Sequence, residues 1–240
     1  MQTSKLDTLK TWVNESKNIV FFGGAGVSTE SGIPDFRSVD GLYHQKFDYP
    51  PEQILSSRFF RANMEYFYRF YKDKMIALDI DPNPAHLKLA QWEREGKLSA
   101  VVTQNIDGLH QKAGSTKVFE LHGSVHRNYC RKCGAGYDLV QFMAMEHVPV
   151  CPKCGGRVKP DVVLYEEGLD PDTIYGAVEA IRRADLLIVA GTSLTVYPAA
   201  AFLDDYMGSR LVLINKTPTP RDNIANLVLH EKLGDVFAQL

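Results

Sequence analysis

Long apolar runs, blocks of like charge and cysteines are all scarce in this 240-residue sequence, and each scarcity removes a class of protein. No apolar run approaches the roughly 18 residues that cross a bilayer, so no membrane partner is expected. Lys and Arg number 27 against 29 Asp and Glu, a formal net charge of -2. A protein that tracks nucleic-acid phosphates carries a strongly basic face, so no nucleic-acid partner is expected either. The stretch from Met1 to Lys10 is polar and amphipathic rather than charged and then apolar, which is not the order of a secretory signal. A cytoplasmic location follows as an expectation. Only 4 cysteines occur, and in that reducing compartment Cys130, Cys133, Cys151 and Cys154 read as metal ligands rather than as two disulfides. What remains is an ordinary globular composition, 45% hydrophobic and 23% charged, long enough to bury roughly three quarters of its surface in one large or two unequal domains. Such a chain points to a nucleotide and a peptide as partners.

Against that background one stretch stands out: Gly23 to Arg37, GGAGVSTESGIPDFR, where the short apolar run Asn18 to Phe22 stops on glycines. Gly23, Gly24 and Gly26 permit positive φ and let a phosphate approach bare backbone, while Val27 to Ser31 can open a helix whose N-terminal N–H groups face that phosphate. A strand, a glycine turn and a helix are therefore predicted. The pattern departs from the dinucleotide fingerprint of hydride-transfer enzymes, which wants glycine where Thr29 stands and an acid closing a second strand about 20 residues on. Here Pro34 removes a backbone donor and restrains Ile33, so no second strand follows directly. Hydride transfer is disfavoured.

Along the rest of the chain the periodicity alternates. Ser4 and Asp7 resemble a capping box, with Leu6, Leu9 and Trp12 on one face, predicting a helix over residues 4–16. Residues 38–50 hold no steady period and read as a long loop able to close over a ligand. Apolar positions from Phe59 to Met75 recur at helical spacing and predict one packed helix; Asn83 and Pro84 start another, which ends near Gly96. Leu98 to Val102, Lys117 to Leu121, Asp185 to Ala190, Arg210 to Asn215 and Asn226 to His230 read as short strands, while Asp170-Pro171 and Pro198 open helices between them. Strands alternating with helices imply an α/β fold with a doubly wound, Rossmann-like parallel sheet. Residues 1–37, 81–122 and 161–240 are assigned to that large domain. A helical module at 38–80 and a ribbon at 123–160 form a smaller inserted one.

The ribbon rests on the cysteines, which form C-x2-C, 17 intervening residues and a second C-x2-C, with Gly134, Gly155 and Gly156 to turn each knuckle. Four thiolates at that spacing close a tetrahedral zinc (Zn2+) site, and with all four positions sulfur the zinc is structural, with no bound water to activate. Of the 7 histidines, His44, His86, His110, His126, His147 and His230 are given no catalytic role. His122 is singled out by place. It ends a strand at the carboxyl edge of the sheet, where open α/β folds bind ligands, and an imidazole with a pKa of about 6.5 suits a general base. Gln104, Asn105 and Asp107 fall at the same edge.

The segment Gly24 to Arg37 resembles the signature of the sirtuins, the NAD-dependent protein-lysine deacylases. The resemblance extends through Thr103-Gln104-Asn105-Ile106-Asp107-Gly108-Leu109-His110, Leu121-His122-Gly123, the paired cysteines and Gly191-Thr192-Ser193. It implies that NAD is consumed as a reagent: the acyl oxygen of a modified lysine attacks C1′ of the nicotinamide ribose as nicotinamide leaves, through an oxocarbenium-like state. His122 then takes a proton from a ribose hydroxyl, an alkylimidate cyclises, and water releases lysine and O-acyl-ADP-ribose, with Asn105 orienting ribose and water. By the same resemblance Asp107 holds the nicotinamide carboxamide beside Ile106, and Phe36 shields the reacting carbon. Arg37 and Gln104 bind phosphate and ribose, Gly24, Ala25, Gly26 and Thr29 line the pyrophosphate turn, and Thr192, Ser193 and Asn215 reach the adenosine half. The acyl-lysine protein or peptide pairs as an added strand near Val163 to Tyr165.

The sequence departs from the family in two places: Tyr165-Glu166-Glu167 stands for the usual Phe-Gly-Glu, and Gly23 for the threonine before Gly-Ala-Gly. Family members that prefer succinyl or malonyl groups are expected to use a tyrosine and, three residues later, an arginine. Tyr66 and Arg69 have that spacing. Matching Phe67-Tyr68 to the family's Phe-Tyr instead places Tyr68 and Tyr71 at the acyl-facing positions, which predicts an apolar pocket favouring acetyl or longer uncharged groups. Two other readings stay open, mono-ADP-ribosyl transfer to a protein nucleophile and a catalytically silent NAD-responsive module whose ribbon recruits a partner. Asn105, Asp107 and His122 together disfavour the second.

Overall fold

The computed structural model describes residues 4–36, 41–42 and 45–240. In chain order the strands are β1 (Ile19–Gly23), β2 (Leu98–Thr103), β3 (Val118–Glu120), β4 (Gly123–Cys130), β5 (Gly136–Tyr137), β6 (Val158–Val162), β7 (Leu186–Ala190), β8 (Leu211–Ile214) and β9 (Leu227–Leu229). Six of them make one parallel sheet in the order β3-β2-β1-β7-β8-β9. Strands β1, β7 and β8 are buried along their whole length, which is why they read as unbroken apolar runs rather than as alternation. From β1 the chain builds β2 and β3 to one side, then returns to build β7, β8 and β9 on the other. Such a reversal opens a crevice at the carboxyl ends of the strands that flank it, here Gly23 and Ala190.

Each face of this sheet is covered. Helices Lys5–Glu15 and Pro84–Arg94 set Leu9, Val13, Leu89 and Trp92 against Phe21 and Ile188. Helix Pro171–Arg183 sets Ala177 and Ile181 against Val20, Phe22 and Leu187 on the other side. Their starts follow the sequence signals: Ser4 accepts from the Asp7 N–H, Asn83 from Ala85 and His86 with Pro84 after it, and Asp170 from Thr173.

The glycine turn differs from expectation. Gly24 sits at φ -124°, and neither Gly23 nor Gly26 has a positive φ. A Cβ on Gly24 would lie 2.7 Å from Thr192 Cβ, and one on Gly26 2.8 Å from Gly191 Cα. Glycine is required here by close approach of two loops, not by dihedral angle. Two short 3-10 turns, Ala25–Val27 and Thr29–Ser31, replace the predicted helix, and Gly32 at φ 93° ends them.

The predicted helix from Phe59 to Met75 is also divided. Ser57–Ala62 and Met64–Phe70 are separated by Asn63 (φ -142°, ψ 63°), and Tyr71–Met75 continues as a π-helical turn. Phe60, Phe67, Tyr68 and Tyr71 pack with Val125, Phe142, Val158 and Leu164, so the helical insert and the ribbon share one core distinct from the two that flank the large sheet. The ribbon itself is an antiparallel sheet in the order β5-β4-β6. Part of the predicted loop at 38–50 lies outside the described residues; the one-turn helix Pro51–Ile54 follows it. Among the described residues no helix is long and apolar enough to cross a membrane.

Candidate active site

The loops at the carboxyl edge lean on one another in strand order. The Gln104 N–H donates to Gly23 O at 2.9 Å, that of Gly24 to Ala190 O at 3.2 Å, that of Gly26 to Gly191 O at 2.8 Å, and that of Gly191 to Ile214 O at 3.1 Å. Beside them, the Leu121 N–H donates to Thr103 O at 2.9 Å, which brings His122 to the same edge.

His122 is held in one tautomer. Its Nδ1 lies 2.8 Å from the Gln104 carbonyl oxygen, and a carbonyl can only accept, so Nδ1 carries the hydrogen and Nε2 keeps its lone pair. Burial lowers the imidazole pKa below its ordinary 6.5, partly opposed by the Gln104 carbonyl, so the ring is neutral at pH 7. A neutral imidazole with a free Nε2 is the form a general base requires. The main-chain carbonyl of His122 accepts the Val163 N–H at 3.0 Å, which ties His122 to the segment expected to receive the peptide.

Asn105 and Asp107 meet through a residue the sequence reading did not single out. The Asn105 Nδ2 donates to Ser28 Oγ at 3.1 Å, and the Ser28 hydroxyl donates to Asp107 Oδ2 at 2.7 Å. Asp107 Oδ1 accepts the Leu109 N–H at 2.9 Å, and the Asn105 N–H donates to Thr103 Oγ1 at 3.0 Å. Ser28 is 1% exposed, a buried hydroxyl that joins the first loop to the second. Its place within the Gly24 to Arg37 segment is the signal that could have found it. Gln104 Oε1 accepts the Thr192 hydroxyl at 3.2 Å, while its buried Nε2 has no partner among the described residues and is a donor left for a ligand.

The other residues of the predicted set lie nearby with their side chains engaged differently. Phe36 and Ile106 are partly buried against the smaller domain's core. Ala25 sits in the first 3-10 turn, and the Thr29 hydroxyl donates to Gly26 O at 2.9 Å. Ser193 pairs with Thr195 at 2.7 Å, and Asn215 Nδ2 donates to Thr217 O at 2.7 Å, so both are turned onto their own loops. Arg37 lies outside the described residues.

Val163 to Tyr165 bridges the ribbon to the helical insert. The Tyr165 N–H donates to Leu55 O at 3.0 Å, and Tyr165 O accepts the Ser57 N–H at 2.9 Å. Glu167 accepts from the Leu164 N–H and from Lys159 Nζ at 3.0 and 3.1 Å. Glu166, in place of the family's glycine, sits at φ 74°. Its carboxylate accepts the Arg58 N–H at 3.0 Å in the first turn of helix Ser57–Ala62 and pairs with the Arg58 guanidinium at 3.5 Å.

For Tyr68 and Tyr71 the structure differs from the acyl-facing expectation. Both are 0% exposed. The Tyr68 hydroxyl donates to Val158 O at 2.6 Å, and Tyr71 stacks on Phe67 at 5.6 Å and meets Phe142 edge-on at 6.1 Å. Helix Met64–Phe70 turns this face onto the ribbon, so the aromatic spacing reports a shared core. Tyr66 and Arg69 line a surface cavity with Phe47 and Phe70, the Arg69 guanidinium 4.7 Å over the Tyr66 ring.

The four cysteines converge with all Sγ atoms within 4.8 Å of one another. Cys130 and Cys154 are 3.4 Å apart and Cys133 and Cys151 3.7 Å. Zinc–sulfur bonds of about 2.3 Å set tetrahedral sulfurs roughly 3.8 Å apart, so the cluster fits the ion. The Lys132 and Gly156 N–H groups donate to Cys130 and Cys154 sulfurs at 3.4 Å. The Tyr137 hydroxyl, 2.9 Å from Cys151 Sγ, pulls that thiol down to about 6, toward the thiolate that binds metal.

Comparison with known proteins agrees with this geometry. A model of the Sir2 family matches residues 24–198. An NAD-dependent protein deacetylase of Clostridium acetobutylicum is 58% identical over 236 residues, covering 97% of this chain and 96% of that protein. A solved Sir2 structure with a deacetylated p53 peptide and 3′-O-acetyl ADP-ribose is similar with a TM-score of 0.90 at 38% identity, covering 98% of this chain and 97% of that one. A Sir2 complex with p53 peptide and NAD+ gives a TM-score of 0.87 at 39% identity, with the same coverage of 98% and 97%.

Proposed function

The chain belongs to the Sir2 family, and from that premise we propose that it is an NAD-dependent protein-lysine deacetylase that yields nicotinamide, O-acyl-ADP-ribose and free lysine. The observation that carries the reading is His122, fixed with a free Nε2 at the carboxyl edge by the Gln104 carbonyl. Binding alone does not require a base in that tautomer at that place.

The edge fits the dinucleotide because it offers a buried donor on Gln104 with no partner among the described residues, and a carboxylate on Asp107 oriented by Ser28 and the Leu109 N–H. Bound NAD supplies a ribose carbon that becomes electrophilic as nicotinamide departs. Asp107 and Ile106 bind the carboxamide, Phe36 excludes water, Gln104 and the turn Gly24 to Thr29 take ribose and pyrophosphate, and Arg37 takes phosphate. Thr192, Ser193 and Asn215 are assigned to the adenosine half. His122 Nε2 accepts the proton of a ribose hydroxyl, and Asn105 orients ribose and water. Val163 to Tyr165 receives the acyl-lysine peptide between the two domains, the zinc is structural, and the protein works in the cytoplasm on proteins rather than on nucleic acid or membrane.

The test is to incubate the protein with an acetyl-lysine peptide, with and without NAD, and to look for O-acetyl-ADP-ribose by mass. Product only with NAD supports the proposal. Deacetylation without NAD, or NAD consumption that only ADP-ribosylates protein, contradicts it.

A further inference from the structure

Strand β4 carries the zinc ligand Cys130 at one end and leaves the His122 edge at the other, and its pairing with β6 is broken between them. The register passes from Ser124 opposite Asp161 to Asn128 opposite Pro160, so Val125, His126 and Arg127 bulge out of the ladder. A bulge beside a binding site re-aims side chains. Each of these three residues grips something outside the ribbon sheet or at its margin. The Val125 N–H donates to Ile106 O at 3.0 Å, His126 Nε2 lies 2.9 Å from Asp107 O, and Arg127 bonds Glu120 and Asp161 at 2.5 and 2.8 Å.

We propose that His126 is a positioning residue that fixes the turn Ile106-Asp107-Gly108 from the ribbon side and so sets the affinity for the nicotinamide end of NAD. This rests on the reading of Asp107 given above. A carbonyl oxygen only accepts, so His126 presents Nε2–H to Asp107 O. The ring also covers Gly108: a Cβ there would lie 2.7 Å from both Cδ2 and Nε2 of His126, at a residue whose φ is 74°. The Asp107 carboxylate is held by Ser28 and Leu109, which belong to the large domain, while its main chain is held by His126, which belongs to the ribbon. The nicotinamide turn is therefore pinned from both domains. Loosening the ribbon's hold leaves the carboxylate in place on average but widens the range of positions it takes.

The experiment uses the full-length, zinc-loaded protein as His126→Ala, His126→Phe and His126→Gln. Phe keeps a ring over Gly108 without a donor, and Gln restores an N–H donor at similar reach. The readouts are the calorimetric Kd for NAD, nicotinamide inhibition, the KM for acetyl-peptide and zinc content. Ala and Phe are expected to raise the Kd for NAD and the inhibitory nicotinamide concentration together by about 3- to 10-fold, the worth of one hydrogen bond. Gln is expected to return within about 2-fold of the native protein by the same reasoning, with peptide KM and zinc content unchanged throughout. An unchanged Kd in all three, a Phe variant that binds NAD like the native protein, a Gln variant as weak as Ala, or zinc loss in the variants would overturn the proposal. Failure of the native protein to bind NAD would instead contradict the family-based reading of Asp107.

Discussion

The large sheet and the smaller domain are stabilised differently. In the sheet, two apolar cores lie on either face, strands β1, β7 and β8 are buried end to end, and the loops at the carboxyl edge are set by backbone contacts between neighbouring strands. The smaller domain has one aromatic core, a three-stranded antiparallel sheet and four thiols within 4.8 Å of one another. Contacts within the sheet set its half of the site, whereas the ribbon's half lies beside four thiols whose spacing fits a zinc ion. His122 lies where the two meet, its ring on the Gln104 carbonyl and its own carbonyl on the Val163 N–H.

Zinc removal should separate the two regions most sharply. Structural zinc contributes on the order of 10 kcal/mol to small ribbons, more than this module's packing can replace. Chelation, or a Cys130→Ser and Cys151→Ser double variant, should open the ribbon to proteolysis and abolish activity. Both of the 2 tryptophans, Trp12 and Trp92, belong to the sheet's core, so their fluorescence should remain native. Loss of the tryptophan signal along with zinc would show that the sheet does not stand alone.

Next in size is His122→Ala, which should lower turnover by about 10²-fold or more without loss of folding. An unchanged rate would remove the base from the mechanism.

Acid should weaken the large domain through two buried histidines, apart from any loss of zinc as the ribbon's thiolates take up protons. His86 and His110 are 0% and 1% exposed, with ring centroids 4.7 Å apart. Burial drives His86 down to about 4, with Asp107 opposing, and drives His110 well below 6.5. Below about pH 6.5 the unfolded chain therefore binds protons that the folded rings refuse, and stability falls with pH toward 4 by up to about 1.4 kcal/mol per unit for each ring. His110→Phe should flatten that slope between pH 6 and 5, read from urea midpoints; an unchanged slope would contradict this cause.

The smallest effect is expected at Glu166→Gly. Relief of left-handed strain offsets loss of the contact to the Arg58 N–H, so stability should change by no more than about 1 kcal/mol, while the KM for peptide rises as the segment loosens. A stability loss above about 3 kcal/mol would show the contact to be larger than a helix-end interaction.

Legibility followed the same division. In the large domain, buried parallel strands announce themselves as apolar runs, and caps at Ser4, Asn83 and Asp170 mark helix starts through local bonds. The placement of His122 at the carboxyl edge was legible because strand ends define that edge, whereas its role came from the resemblance. The cysteine spacing is a local signal too. What the sequence hid depends on partners far along the chain. Ser28 bonds Asn105 and Asp107, 77 and 79 residues away. The need for glycine at Gly26 comes from Gly191, and the bulge at residues 125–127 from β6. Tyr68 and Tyr71 lie on a buried helical face, but periodicity does not say what buries it.

The role of His122 is tested most directly by measuring two reactions in parallel on the native protein and His122→Ala: exchange of labelled nicotinamide into NAD, and formation of O-acetyl-ADP-ribose from an acetyl-peptide. A base that acts after nicotinamide departs predicts that exchange persists in the variant while product formation is lost. Product at the native rate in His122→Ala, or no product from the native protein, would contradict it.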